Sequence, residues 1–166
     1  MRLLKLALIS IIAFFLVLSF LAVMMPSTVL VSRAVNINAP ADSIKKYVAD
    51  LHQWIYWVKG MDSRSVTILS ATKADLVQQK LSIQMVTDSS VVSFWESTTA
   101  PSQISTIRFI KAPESKLTIV QWQFEQKLHW YPWEKFGSFM NDKILGPMME
   151  ENLQRLKQLL AGNPIP

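Results

Sequence analysis

The sequence predicts an α+β domain, made of an antiparallel meander with two short helices near its start and a long helix at its end, standing behind one membrane-spanning helix. Three features of the 166-residue chain predict it. An uncharged apolar run fills the N-terminus, short β-periodic runs joined by brief turn-rich links fill the middle, and a helical period takes over toward the C-terminus.

The N-terminal run, Leu6 to Met25, is LALISIIAFFLVLSFLAVMM, with no charge and only Ser10 and Ser19 polar. As a helix rising about 1.5 Å per residue it spans roughly 30 Å, the thickness of a hydrocarbon core. Lipid offers no hydrogen-bond partners, so a helix is the only single-segment structure that satisfies its backbone there. Pro26 ends it. A cleaved export signal has a shorter apolar region and a small-x-small site, whereas this run ends Ala22-Val23-Met24-Met25-Pro26. Arg2, Lys5 and the amino terminus lie on the short side, which places that side in the cytoplasm and the rest of the chain on the periplasmic or other extracytoplasmic side. The expected division is 1–27 for the cytoplasmic N-terminus and signal-anchor helix, and 28–166 for one domain of ordinary size.

That domain opens with Thr28 to Asn38, where Val29, Val31, Val35 and Ile37 alternate as in a strand. Pro40 and Asp42 suit a helix start, and Ile44, Tyr47, Val48 and Leu51 follow at helical spacing, giving a helix from about Pro40 to Asp50. A second helical piece, Leu51 to Val58, carries Trp54, Ile55, Tyr56 and Trp57. Five β-rich runs come next: Ser65–Ser70, Leu76–Met85, Val91–Thr98, Ile104–Ile110 and Lys116–Leu128. Ala71–Asp75, Thr87–Ser90, Ala100–Gln103 and Ala112–Ser115 are the turns between them. From about Glu134 the residues Phe136, Phe139, Met140, Ile144, Met148, Met149, Leu153, Leu156 and Leu160 mark one face of a long helix that stops before Gly162 and Pro164. Gly146-Pro147 should bend it.

Charge argues against a nucleic-acid partner. The chain carries +5 formally, from 17 basic and 12 acidic residues. With Arg2 and Lys5 set aside the excess is small, and the remaining bases are scattered instead of forming the concentrated face that phosphate binding needs. Cysteine is absent, which excludes disulfides, thiolate catalysis and lipidation at sulfur.

The element order, together with Val31-Ser32-Arg33-Ala34-Val35-Asn36-Ile37-Asn38-Ala39-Pro40-Ala41, the following Trp54-Ile55-Tyr56-Trp57, and the ending Asn141-Asp142 through Leu153-Gln154-Arg155-Leu156-Lys157, resembles the START-like helix-grip superfamily. More narrowly it is similar to the polyketide cyclase/dehydrase (SRPBCC) branch, over about Thr28 to Leu160. The resemblance implies a curved antiparallel sheet wrapped around the long C-terminal helix, with an apolar cavity between them. It also implies binding of a lipid or other hydrophobic small molecule, with cyclisation or hydration chemistry in a minority of members.

Within that arrangement Trp54, Trp57, Phe94, Trp95, Trp122, Phe124, Phe136, Phe139 and Met140 lie on elements expected to converge around the cavity. For any one of them a packed core is the simpler explanation, but as a set they suit an apolar pocket. Trp130, Tyr131 and Trp133 are expected either at the pocket mouth or at a membrane interface. Acid/base chemistry would need an ionisable group inside, and Glu96, Glu125 and Arg108 are the weak candidates. His52 and His129 are too far apart in the chain and in too different surroundings for a metal pair, no phosphate loop or nucleophile elbow occurs, and no cofactor is called for. The reading is membrane-tethered binding of a hydrophobic small molecule or lipid. The alternatives are a cyclase- or dehydratase-like enzyme on a hydrophobic substrate and a non-catalytic envelope interaction module with a filled core.

Overall fold

A computed structural model describes residues 2–111 and 117–162. Helix α1 (Arg2–Met24) leads into strand β1 (Thr28–Ile37), followed by α2 (Ala41–Val48) and α3 (Leu51–Trp54). Strands β2 (Thr67–Ser70), β3 (Lys73–Leu76), β4 (Gln79–Val86), β5 (Ser90–Ser97), β6 (Gln103–Lys111) and β7 (Thr118–Lys127) come next, then α4 (Pro132–Gly137) and α5 (Phe139–Leu160). The expected Ala112–Ser115 turn, Lys116 at the head of the last strand, Pro164 and the side chain of Phe139 lie outside the described residues.

Among the described residues α1 is the one helix long and apolar enough to cross a membrane. It is exposed along nearly its whole length and buries only Ala22, unlike the core helix of a globular domain. Pro26, lacking an N–H, follows its end.

The strands form one curved antiparallel sheet in the order β1-β7-β6-β5-β4-β3-β2. Hairpins carry the chain from β2 to β7, and β1 joins at the far edge by pairing with β7, Val31 opposite Phe124 and Val35 opposite Val120. Alternation decides the faces: Thr118, Val120, Trp122, Phe124 and Gln126 of β7 are buried while Ile119, Gln121, Gln123 and Glu125 lie on the other side. A register shift between Ile83 and Met85 marks an irregularity in β4, of the kind that bends a sheet.

Helix α5 packs across β1, burying Met149, Asn152, Leu153 and Leu156. Arg33, on the inner face of β1, reaches over this helix to Asp142 (3.0 Å) and Glu150 (2.6 Å). Its guanidinium lies where a Cβ on Gly146 would sit, with Cζ only 2.9 Å from that position. A glycine there is what lets the arginine cross.

The helix-start turn is also tied down. Thr118 Oγ1 donates to the Ala39 carbonyl at 2.7 Å, and the indole N–H groups of Trp54 and Trp57 donate to the Val48 (2.9 Å) and Tyr47 (3.1 Å) carbonyls. Those two carbonyls are among the four that the end of α2 leaves without helical partners.

Four expectations need correction. The run Leu76–Met85 is two strands, because the chain turns at Val77-Gln78 with Leu76 opposite Gln79, and part of the expected Ala71–Asp75 turn is strand β3. The helix expected over Leu51–Val58 ends at Trp54 and continues as turns. The helix expected to run on from Glu134 breaks at Ser138 into α4 and α5, whereas α5 stays helical through Gly146-Pro147. Phe136, Met140, Ile144 and Met148, assigned to the buried face, are exposed. A spacing of four drifts around a 3.6-residue helix, and Met140-Ile144-Met148 ends up roughly a third of a turn from the buried Met149-Leu153-Leu156 stripe.

Candidate functional site

A cleft of about 330 Å³ lies between the inner face of the sheet and α5. Strand alternation puts Trp95 of β5, Gln103 of β6 and Trp122 and Phe124 of β7 on its sheet side, and α5 contributes Leu145 and Met148, three positions apart and so on one face. Val58–Met61 and the two ends of the β3–β4 turn, Leu76 and Gln79, complete the wall. Gly60, at φ +88°, takes the left-handed conformation that lets the segment after α3 turn back.

Behind the wall the indoles pack on one another. Ring centroids are 5.3 Å apart for Trp54–Trp57, 5.6 Å for Trp57–Trp122 and 6.1 Å for Trp54–Trp95. Phe124 stands 5.4 Å from Trp122 and 5.7 Å from Trp95, distances suited to offset or edge contacts. Two buried serines satisfy the cleft-lining indoles, since Trp122 Nε1 donates to Ser105 Oγ at 2.7 Å and Trp95 Nε1 to Ser93 Oγ at 3.3 Å. The rings therefore offer the cleft apolar surface, their polar edges being already bonded. Gln103 Nε2 donates to Gln126 Oε1 at 3.1 Å, so this wall amide is anchored as well.

Of the residues expected around the cavity, Trp95, Trp122 and Phe124 line it, and Trp54 and Trp57 are fully buried as its second layer. Phe94 has the opposite parity and lies on the outer face beside Gln84 and Ile104. Phe136 and Met140 are on exposed surfaces of α4 and α5. The residues not anticipated, Val58–Met61, Leu76, Gln79, Gln103, Leu145 and Met148, come chiefly from turns and from the second stripe of α5. A three-residue spacing, Leu145 to Met148, was the one available signal.

The ionisable candidates face elsewhere. Glu96 and Arg108 are exposed, and Glu125 is on the outer face of β7, opposite Leu30 and Ile104. His52 and His129 are exposed and pair with their own neighbours, Asp50 at 2.8 Å and Glu134 at 3.2 Å. For the Asp50 carboxyl, burial pushes its pKa up, but hydrogen bonds from the His52 backbone and ring outweigh it and hold the group below the usual range. At the cleft rim Lys59 Nζ bonds Glu151 at 3.1 Å, which lowers that carboxyl's pKa. Among the described residues no three His, Asp or Glu side chains gather as a metal site would require.

No protein-family model matches the sequence, and no curated relative matches it. Solved structures do. A START superfamily protein from Mycobacterium smegmatis superposes with a TM-score of 0.60 at 15% identity, over 80% of this chain and 97% of that one. The domain has the START-like helix-grip fold. Other matching structures include CalU16 from Micromonospora echinospora (TM-score 0.56, 13% identity, 84% of this chain and 86% of that one) and a protein from Nitrosospira multiformis (0.62, 10%, 80% and 96%). At such identities the likeness is one of fold.

Proposed function

We propose that this helix-grip protein is a membrane-anchored binder of a hydrophobic small molecule or single lipid chain, with the domain 28–166 outside the cytoplasm. The cleft carries the reading. At about 330 Å³ it falls at the small end of ligand pockets and has about twice the volume of an engineered apolar cavity that holds benzene. Its walls are mainly aromatic and aliphatic surface, and the Trp95, Trp122, Gln103 and Lys59 polar groups among them are bonded to neighbouring side chains. Apolar ligand surface leaving water there gains roughly 25 cal/mol per Å², and α1 would hold the site beside the phase in which such ligands dissolve.

Against a cyclase- or dehydratase-like reading stands the outward placement of Glu96, Glu125, Arg108 and both histidines. Against a filled-core interaction module stands the cleft itself.

The test uses the full chain in polymer-bounded membrane discs. Organic extracts of wild type and Leu145→Trp, whose indole would occupy the cleft, are compared by mass spectrometry. A species held by wild type and lost from the variant is the expected result, while identical extracts would end the proposal.

A further inference from the structure

Strand β7 ends where α1 enters the domain. Thr28 pairs with Lys127, and the Leu128 N–H donates to the Ser27 carbonyl at 2.8 Å. The chain therefore leaves the sheet beside the end of the apolar helix, and it does so as Trp130-Tyr131-Pro132-Trp133, passing into α4, which touches α1.

A buried cation fixes this corner. Lys135, only 2% exposed, donates from Nζ to the Met25 carbonyl (3.2 Å), the Pro26 carbonyl (2.8 Å) and Ser27 Oγ (2.8 Å). The carbonyls it serves lie just past the end of α1, where a positive charge also suits the helix dipole. Ala22, one turn earlier, is wholly buried. Helices α1 and α4 thus meet at a corner tied by Lys135.

Beyond that corner an apolar surface stays open. Trp130 is 59% exposed and Trp133 63%, with Tyr131 stacked on Trp133 at 4.9 Å. Met140 at 52% and Ile144 at 65% extend the surface along α5. Scattered exposed apolar residues are ordinary; the packed rings of Trp130, Tyr131 and Trp133 form a contiguous aromatic surface of the kind that marks a contact.

The geometry points to a bilayer seat: Trp130, Tyr131 and Trp133, with Phe136, Met140 and Ile144, lie in the interfacial layer of the same membrane that α1 crosses, and Lys135 holds them at that level. The inference rests on the reading of α1 as a membrane helix. The occupant is lipid because the surface begins where the apolar helix ends, and because tryptophan and tyrosine, apolar bodies with polar edges, suit the headgroup region.

Having no cysteine, the protein accepts single spin labels without further change. Full chains carrying Phe15→Cys, Trp133→Cys, Met140→Cys or Ser89→Cys are labelled and reconstituted in phosphatidylethanolamine–phosphatidylglycerol vesicles. Collision with a water-soluble nickel chelate and with oxygen is then measured. Position 15 reports insertion of α1; position 89, in the turn between β4 and β5, lies at the opposite end of the sheet. The expected result is loss of nickel access and gain of oxygen access at 133 and 140, as at 15, with 89 remaining open to nickel. Protection at 15 combined with full nickel access at 133 and 140 overturns the seat and leaves the anchor standing. Nickel access at all four positions removes the anchor and the seat together. Exclusion of both relaxants at 133 and 140, or dipolar broadening between labels, assigns the surface to protein contact and overturns the proposal.

Discussion

Replacing Lys135 with methionine asks how much the corner contributes to stability. Methionine keeps much of the length and the apolar stem but removes a donor group serving two backbone carbonyls and one hydroxyl. A buried acceptor left without a partner costs about 1–3 kcal/mol. Met25 and Pro26 retain some solvent contact, so water recovers part of that, and removing a buried ammonium relieves its desolvation. The net expectation is a loss of about 2 kcal/mol, equivalent to a fall in Tm of roughly 5–10 °C for a domain of this size. Denaturant unfolding in micelles, followed by tryptophan emission to which the four packed indoles contribute the buried part, measures it. Lys143→Met on exposed α5 surface is the control, expected within about 0.5 kcal/mol of wild type. Proteolysis at Met25–Ser27 should also accelerate in Lys135→Met, because local opening there no longer breaks the cap. If the two lysine variants unfold alike and are cut alike, the corner is not held in the way the distances imply.

Three further outcomes test the interior and the helix ends. Ser105→Ala strands the buried Trp122 N–H and should cost about 1–3 kcal/mol, with the Ser105→Ala/Trp122→Phe pair costing less than the sum of the singles in a double-mutant cycle. Gly146→Ala should fail to deliver the gain of about 1 kcal/mol that such a change brings within an ordinary helix, since the new methyl displaces Arg33 from Asp142 and Glu150; full stabilisation in chemical denaturation would refute that. Asp50 caps α3, its Oδ1 accepting from the His52 N–H at 2.9 Å, and Asp50→Ala should cost about 1 kcal/mol at neutral pH. Because the folded carboxyl's pKa is depressed, that advantage is complete above the unfolded value near 4 and is lost as pH falls through the lower folded value. A difference between wild type and variant that stays constant from neutral to strongly acidic pH would contradict it.

The elements legible in the sequence were those whose physics is periodic. Val31, Val35 and Ile37 alternate, Trp122 and Phe124 alternate, and the apolar run up to Met25 has no charge, so β1, β7 and α1 followed directly. The β3–β4 turn leaves no mark in the sequence because Val77-Gln78 contains none of the glycine, proline or asparagine that usually announces a hairpin, and a tight turn between well-paired strands can use ordinary residues. Phe94 and Trp95 could not be separated in advance because adjacent bulky residues fit either parity; cross-strand pairing decides, and it brings Trp95 to the cleft. The role of Lys135 left no sequence signal, since a lysine in a short helix ordinarily reads as solvated, and only the return of β7 to Ser27 brings three oxygens within its reach.

The cleft and the open apolar surface are tied through register and through one helix. Gln103 pairs with Gln126, next to Lys127 at the α1 end of β7, and Phe124 lies three residues from that end. The cleft is therefore in the half of the sheet nearest the point where α1 enters. On α5 the stripe Met140-Ile144 continues into Met148, which also lines the cleft together with Leu145. A residue at that position touches whatever covers the stripe and whatever fills the cleft. If the stripe rests on lipid, the pocket wall and the bilayer share a side chain, and an apolar ligand could pass between them along an apolar path instead of crossing water as a free species, at a cost that grows with its exposed apolar area. Met148→Lys makes that coupling measurable. It places a charge on the path while leaving Trp95, Trp122 and Phe124 untouched, and it should slow ligand exchange with vesicles more than it weakens equilibrium binding. Equal losses in both would mean that Met148 is only part of the wall.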